Sequence, residues 1–313
     1  MIQTNNNDNN YNNYKELQKS ILKLKKDKDA VILVHNYQKE EIHRIADFLG
    51  DSLDLSKKAA STMSDTIIFC GVKFMAETAK ILSPAKTILL PVKDAGCPMA
   101  NMITPEDVIN LKHKHPGAMV VCYVNSTAEV KAECDVCCTS ANAVKIVNKL
   151  PADKVIFVPD KNLGSYVERF TDKEIILWDG YCYVHNQFSP AEVKTAKKKM
   201  PDAVLVVHPE CPPEIIDLAD HVESTSGMVR LAKESKSKRF LIGTEEGLIK
   251  RLIYENPDKE FYSAGNPRIC INMKKTKLKD VHNALLHNQT EIVLDKEIIE
   301  RAKKSLEKML EYS

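Results

Sequence analysis

The sequence predicts an α/β fold of three similar α/β/α units whose parallel sheets are related by pseudo-threefold symmetry. Three observations predict it. Short, wholly apolar runs alternate with helical periodicity along the chain, the pattern of parallel strands covered on both faces by helices. The runs recur at a long, nearly constant interval, the mark of internal repetition. Polar and titratable side chains recur in register with them, at the ends of equivalent runs.

The chain has 313 residues, more than one hydrophobic core normally organises, so several folding units are expected. Residues 1–13 are mainly asparagine and polar, a composition that predicts disorder. From Tyr14 to Lys28 the apolar positions Leu17, Ile21, Leu22 and Leu24 predict a basic amphipathic helix that packs on the body. First strands are predicted at Val31–His35, Met119–Tyr123 and Val204–His208. Their final residues are 88 and 85 positions apart. Second strands follow at Thr66–Phe69, Val155–Val158 and Phe240–Ile242, and third strands at Thr87–Leu90, Glu174–Leu177 and Glu260–Tyr262. Between them, Ile42, Ile45, Ala46 and Leu49 share a helical face that Gly50 would end. The segment Ser126–Glu129 reads as a capping box, and Pro212 and Pro213 stand where a third helix would open. The expected units are residues 30–115, 116–200 and 201–275. A leader and helix (1–29) precede them, and two helices (276–313) follow, the last with Ile298, Ile299, Ala302, Leu306, Met309 and Leu310 on one side.

Composition narrows the function. Hydrophobic residues make up 43%, and the formal net charge is +2 with acids and bases interspersed, which argues against nucleic acid or an anionic membrane as the main partner. No apolar run approaches the length that spans a bilayer, and the N-terminus lacks a signal-peptide pattern. The expected location is the cytoplasm. There the nine cysteines should be reduced, which favours metal binding or catalysis for some and core packing for others.

In parallel α/β sheets ligands bind beyond the carboxyl ends of the strands. The first strands end in His35–Tyr37, Tyr123–Asn125 and His208–Glu210. One such residue alone would simply cap a sheet; three clusters in register predict a site. Further on, Gly50–Leu53, Cys138–Ala141 and Glu223–Ser226 each precede a helical pattern. Their hydroxyls, Ser52, Ser140, Ser224 and Thr225, are ordinary helix caps taken singly, but converging they would form a floor for carboxylate or phosphate. Cys97, Cys182 and Cys270, at intervals of 85 and 88 residues, each lie just past a third strand. Together, three thiolates suit a [4Fe–4S] cluster with one iron left free of protein, and soft thiolates also admit zinc. Cys134 and Cys137 form a C-x-x-C pair without the second pair a structural zinc site needs. Cys70 and Cys122 lie at the ends of apolar strands and read as core, and Cys211 beside Glu210 reads as packing more readily than as site lining.

The segments VHNYQ (34–38), GDSLDLS (50–56), FCGVKFMAETAKIL (69–82), GCPMA (96–100), YVNSTAEVKAECDVCCTSANAV (123–144), PDKNLGSYV (159–167), CYVH (182–185), HPEC (208–211), STSGM (224–228) and CINMK (270–274) resemble, in order and spacing, the quinolinate synthases. The resemblance runs from about residue 30 to 313 and implies three α/β domains in pseudo-threefold arrangement. It implies a [4Fe–4S] cluster on Cys97, Cys182 and Cys270, and iminoaspartate and dihydroxyacetone phosphate as substrates. The implied product is quinolinate, the precursor of the NAD pyridine ring, with an aspartate oxidase or dehydrogenase as the source of iminoaspartate. The C-terminal C-x-x-C-x-x-C of some members is missing here, and the Asn-rich leader lies outside the family pattern. Within that frame Glu210 and His208 are the expected acid–base pair, with His35, Tyr37 and Tyr123 as donors or shuttles, because imidazole titrates near neutrality. Ser52, Tyr123, Asn125, Ser140, His208, Glu210, Ser224, Thr225 and His35 are the expected substrate contacts. His185, three residues past Cys182, fits either a substrate contact or a supporting role. An aconitase-like hydro-lyase, an iron–sulfur sensor and a zinc protein on the same three thiols are the competing readings.

Overall fold

The computed structural model describes residues 5–313, with side chains from Tyr14 onward. Among these residues are three four-stranded sheets, all with parallel pairing. The first holds β1 (Ala30–His35), β2 (Phe48–Gly50), β3 (Thr66–Cys70) and β4 (Thr87–Leu89). The second holds β5 (Met119–Tyr123), β6 (Val136–Cys138), β7 (Lys154–Val158) and β8 (Glu174–Leu177). The third holds β9 (Val204–Val207), β10 (His221–Val222), β11 (Arg239–Gly243) and β12 (Glu260–Ser263). Each sheet has the same spatial order, second–first–third–fourth strand. The chain therefore leaves the first strand to one side and crosses back to the other, which opens a crevice at the carboxyl ends of the first and third strands.

The repeat extends to side chains. Asp47 Oδ2, Asp135 Oδ2 and Asp220 Oδ2 accept from the backbone N–H of Ile32, Val120 and Leu205 at 2.8, 2.7 and 2.7 Å. Each aspartate stands just before the short second strand and ties it to the first. These second strands differ from the sequence expectation. The spacing of Ile42 to Leu49 predicts one helix, but the helix ends at His43 and Phe48–Gly50 joins the sheet. Two or three residues carry too little periodicity to read as strands. Likewise Thr127, not Ser126, caps the helix Ala128–Ala132, and the Ser126 hydroxyl donates to the Tyr123 carbonyl at 2.9 Å.

The N-terminal helix runs Asn5–Asp27. Residues 5–13, expected to be disordered, continue that helix, because each residue added to an existing helix gains a hydrogen bond without a new nucleation cost; residues 1–4 lie outside the described ones. Ile21 packs with Leu278, Val281 and Leu285 of the helix Leu278–His287. The last helix, Lys296–Tyr312, buries Ala302, Leu306 and Met309 in the main core, and Ser305 Oγ donates to the Lys131 carbonyl at 3.0 Å. No helix among the described residues is long and apolar enough to cross a membrane.

Candidate active site

The crevices of the three units meet in one cavity. His35, Tyr37, Ser52, Tyr123, Asn125, Ser140, His208, Glu210 and Thr225 line it together with Cys97, Cys182 and Cys270. Among the residues the sequence singles out, Ser224 stands behind the lining. It caps the helix Thr225–Glu234 by accepting from Gly227 N, and its hydroxyl donates to Asp51 Oδ2 at 3.0 Å. Asp51, in turn, caps the helix Ser52–Ser61, so the hydroxyl floor is pinned across the seam between the first and third units.

Glu210 is the hub. It is almost fully buried, accepts from the Tyr123 hydroxyl on Oε1, and holds His185 Nδ1 at 2.7 Å from Oε2. His185 Nε2 lies 2.8 Å from Thr244 Oγ1 and 3.3 Å from the Tyr37 hydroxyl, which itself lies 2.6 Å from Thr244. His208 stacks on His185 with ring centres 4.5 Å apart. All three units thus contribute to one continuous network. His185 supports the lining residues from behind rather than facing the cavity.

Burial governs the charges. Desolvation pushes the Glu210 carboxyl up, but His185 and His208 together with the bonds from His185 and Tyr123 outweigh it and hold it below the usual range. Tyr37 and Tyr123 are pushed up, first by burial and then by Glu210, so both remain hydrogen-bond donors. Burial, then His43, lowers His35 to about 3, and burial, then His185, lowers His208 to about 3. The geometry agrees. Nδ1 of His35 accepts from Tyr37 N at 3.2 Å and Nδ1 of His208 accepts from Glu210 N at 3.3 Å, so each ring carries its proton on Nε2 and is neutral. The expectation that these two histidines titrate near neutrality is corrected by their burial.

The nine cysteines divide cleanly. Cys70, Cys122, Cys134, Cys137, Cys138 and Cys211 are buried; Cys97, Cys182 and Cys270 are partly exposed and face the cavity. Cys211 packs in the third unit, with its thiol 3.5 Å from the Gly243 carbonyl. Cys134 Sγ donates to Val130 O and Cys137 Sγ meets Ser305 Oγ, and neither cysteine lines the cavity. Each of the three cavity cysteines enters a short 3-10 turn: Met99–Asn101, His185–Gln187 and Met273–Lys275. Backbone N–H groups of these turns point at the sulfurs: Ala100 and Met99 at Cys97, His185 at Cys182, Met273 and Asn272 at Cys270. Burial nevertheless pushes all three thiols up, Cys97 to about 12. Three soft donors with N–H groups aimed at them fit a thiolate-bound metal group. A second set, Cys182, His185 and Glu210, has ligand atoms within 4.8 Å of one another, with His185 Nδ1 and Glu210 Oε2 2.7 Å apart.

Sequence reasoning missed Thr244, Asp51, Asp160 and Glu245. The last two stand two residues past β7 and β11, a position the repeat itself marks.

Fold and site together define a three-unit α/β enzyme in which a buried carboxylate network and three equivalent loop cysteines share one central cavity. The chain belongs to the family described as Quinolinate synthetase A protein, whose model matches residues 19–311. It is 54% identical over 294 residues to the quinolinate synthase of Methanoregula boonei, covering 94% of this chain and 97% of that one. It is 53% identical to the quinolinate synthase of Caldicellulosiruptor saccharolyticus, over 95% of this chain and 99% of the relative. The quinolinate synthase of a Geobacter species is also 53% identical, over 94% and 97%.

Proposed function

We propose that this protein condenses iminoaspartate with dihydroxyacetone phosphate and closes the ring to quinolinate, with release of phosphate and water, in the cytoplasm. The observation that carries the reading is the meeting of Cys97, Cys182 and Cys270 beside Glu210 and Tyr123 in one cavity. The domain limits expected at 30–115, 116–200 and 201–275 belong to the same proposal. The three cysteines would hold a [4Fe–4S] cluster, whose iron without a protein ligand supplies a Lewis acid for loss of a hydroxyl group.

The chain's own side chains do the rest. Glu210, ionised and paired with His185, accepts a proton from a substrate carbon or hydroxyl. Tyr123 shares its proton with Glu210 and can return it. Neutral His35 and His208 offer donors rather than charges. Ser52, Ser140 and Thr225, at or before helix starts, suit the phosphate and carboxylates, with Thr225 Oγ1 oriented by Asn36 Nδ2 at 2.8 Å. The Asn125 Oδ1 is buried and unpartnered, an acceptor open to a ligand N–H or hydroxyl. Burial of the network excludes water that would hydrolyse an imine.

Anaerobically reconstituted protein should turn oxaloacetate, ammonia and dihydroxyacetone phosphate into a pyridine dicarboxylate, detected by chromatography. Cys97→Ser, Cys182→Ser and Cys270→Ser should each lose iron and product together. Iron-replete wild type that makes no product, or a serine variant with full turnover, would overturn the proposal.

A further inference from the structure

The loops that carry the three cysteines are anchored by the same backbone bond. Lys73 N, Lys161 N and Glu246 N donate to the carbonyls of Ala95, Gly180 and Arg268, at 2.8, 2.8 and 2.9 Å. Each accepting carbonyl lies two residues before its cysteine. The residue preceding each donor is Val72, Asp160 or Glu245, two positions past β3, β7 and β11 respectively. In two units this residue is a fully buried carboxylate. Asp160 Oδ1 caps the helix Lys161–Glu168 by accepting from Leu163 N at 2.9 Å, and Oδ2 accepts from the N–H of Cys182 itself at 3.1 Å. Glu245 Oε2 accepts from Gly247 N at 2.7 Å, and Oε1 accepts from the N–H of Cys270 at 3.1 Å. Lys274 Nζ, 2.9 Å away, secures the Glu245 carboxylate. In the first unit the position is Val72, which has no acceptor.

We infer that Asp160 and Glu245 are positioning residues for the cysteine centre: each uses one carboxylate oxygen to cap a helix and the other to fix the backbone of a ligating cysteine. The inference rests on the cluster reading above. Capping alone would need only one oxygen, as the hydroxyl caps Thr104, Thr127, Ser189 and Ser224 show. A carboxylate is the side chain that accepts at both ends at once. The design is asymmetric. The loops of Cys182 and Cys270 are held twice, by backbone and carboxylate, whereas among the described residues no carboxylate accepts from the N–H of Cys97.

The test uses Asp160→Asn and Glu245→Gln, which keep one acceptor oxygen for the helix cap. Asp160→Glu and Glu245→Asp serve as conservative rescues, since each acid does the other's task in its own unit. In cluster-free protein, alkylation of each thiol is followed by mass spectrometry. Asp160→Asn should speed modification of Cys182 alone and Glu245→Gln that of Cys270 alone, with Cys97 unchanged in both. In reconstituted protein, a chelator should strip iron roughly tenfold faster from each amide variant, the equivalent of one net hydrogen bond. The acid-for-acid swaps should restore most of the difference. Equal acceleration at all three cysteines would mean a merely structural role, and unchanged rates would mean none; either result overturns the inference. Wild type that takes up no iron–sulfur group would overturn the cluster reading, and the alkylation pattern alone would then decide whether the carboxylates fix the two loops.

Discussion

Acid should unfold this protein through His35 and His208, and replacing one of them should measurably blunt the effect. In the folded chain each imidazole takes up a proton only near pH 3; in the unfolded chain it does so near 6.5. Between those values the unfolded state binds more protons, so the stability these groups allow is complete above 6.5 and is lost as pH falls toward 3. At about 1.4 kcal/mol per pH unit below 6.5, each ring costs about 2 kcal/mol by pH 5 and roughly 4 kcal/mol by pH 3, where the folded ring is half protonated. Two such losses are a large share of a domain's stability of about 5–15 kcal/mol. Glu210, held below its ordinary value of 4.5, adds a loss of the same sign only below that pH. Urea unfolding of cluster-free protein at pH 8 and pH 5 reads the summed change, to which His43, lowered to about 4, adds and the raised carboxyls of Asp51, Asp160 and Glu245 contribute with the opposite sign; comparison of variant with wild type isolates His208. The substitution His208→Gln removes one titrating ring, so the stability lost between the two pH values should shrink by about 2 kcal/mol, whatever the variant's absolute stability. An identical loss in variant and wild type would refute the claim that burial keeps His208 neutral. The same argument predicts that neither ring produces a step near neutrality in the pH–rate profile.

Glu210→Gln should leave bound iron unchanged while lowering kcat by a factor of about a hundred or more, the scale of a lost general base; iron loss in that variant would assign the residue a structural task instead. Leu306→Ala, at a fully buried position of the last helix, should cost about 2–5 kcal/mol in chemical denaturation, and a loss well under about 1 kcal/mol would show that this helix lies outside the cooperative core.

Much of the molecule was legible in the chain before any coordinates. Central strands read clearly because a buried parallel strand is apolar on both faces, as in Val31–Val34 and Val204–Val207. The interval of Cys97, Cys182 and Cys270 followed from the repeat, and equivalent positions in a pseudo-threefold body must fall around its axis. Other features depend on partners distant in sequence. The edge strands β2, β6 and β10 exist because Asp47, Asp135 and Asp220 reach back to the first strands, which two or three residues do not reveal locally. His35 and His208 are neutral because of what surrounds them, and burial is a property of packing alone. His185 meets Glu210, Thr244 and Tyr37 only after the three units assemble. Local periodicity and repetition thus determined the architecture and the candidate residues, whereas charge state, proton position and the division between lining and support were decided by tertiary contact, since desolvation and hydrogen bonding act through space rather than along the chain.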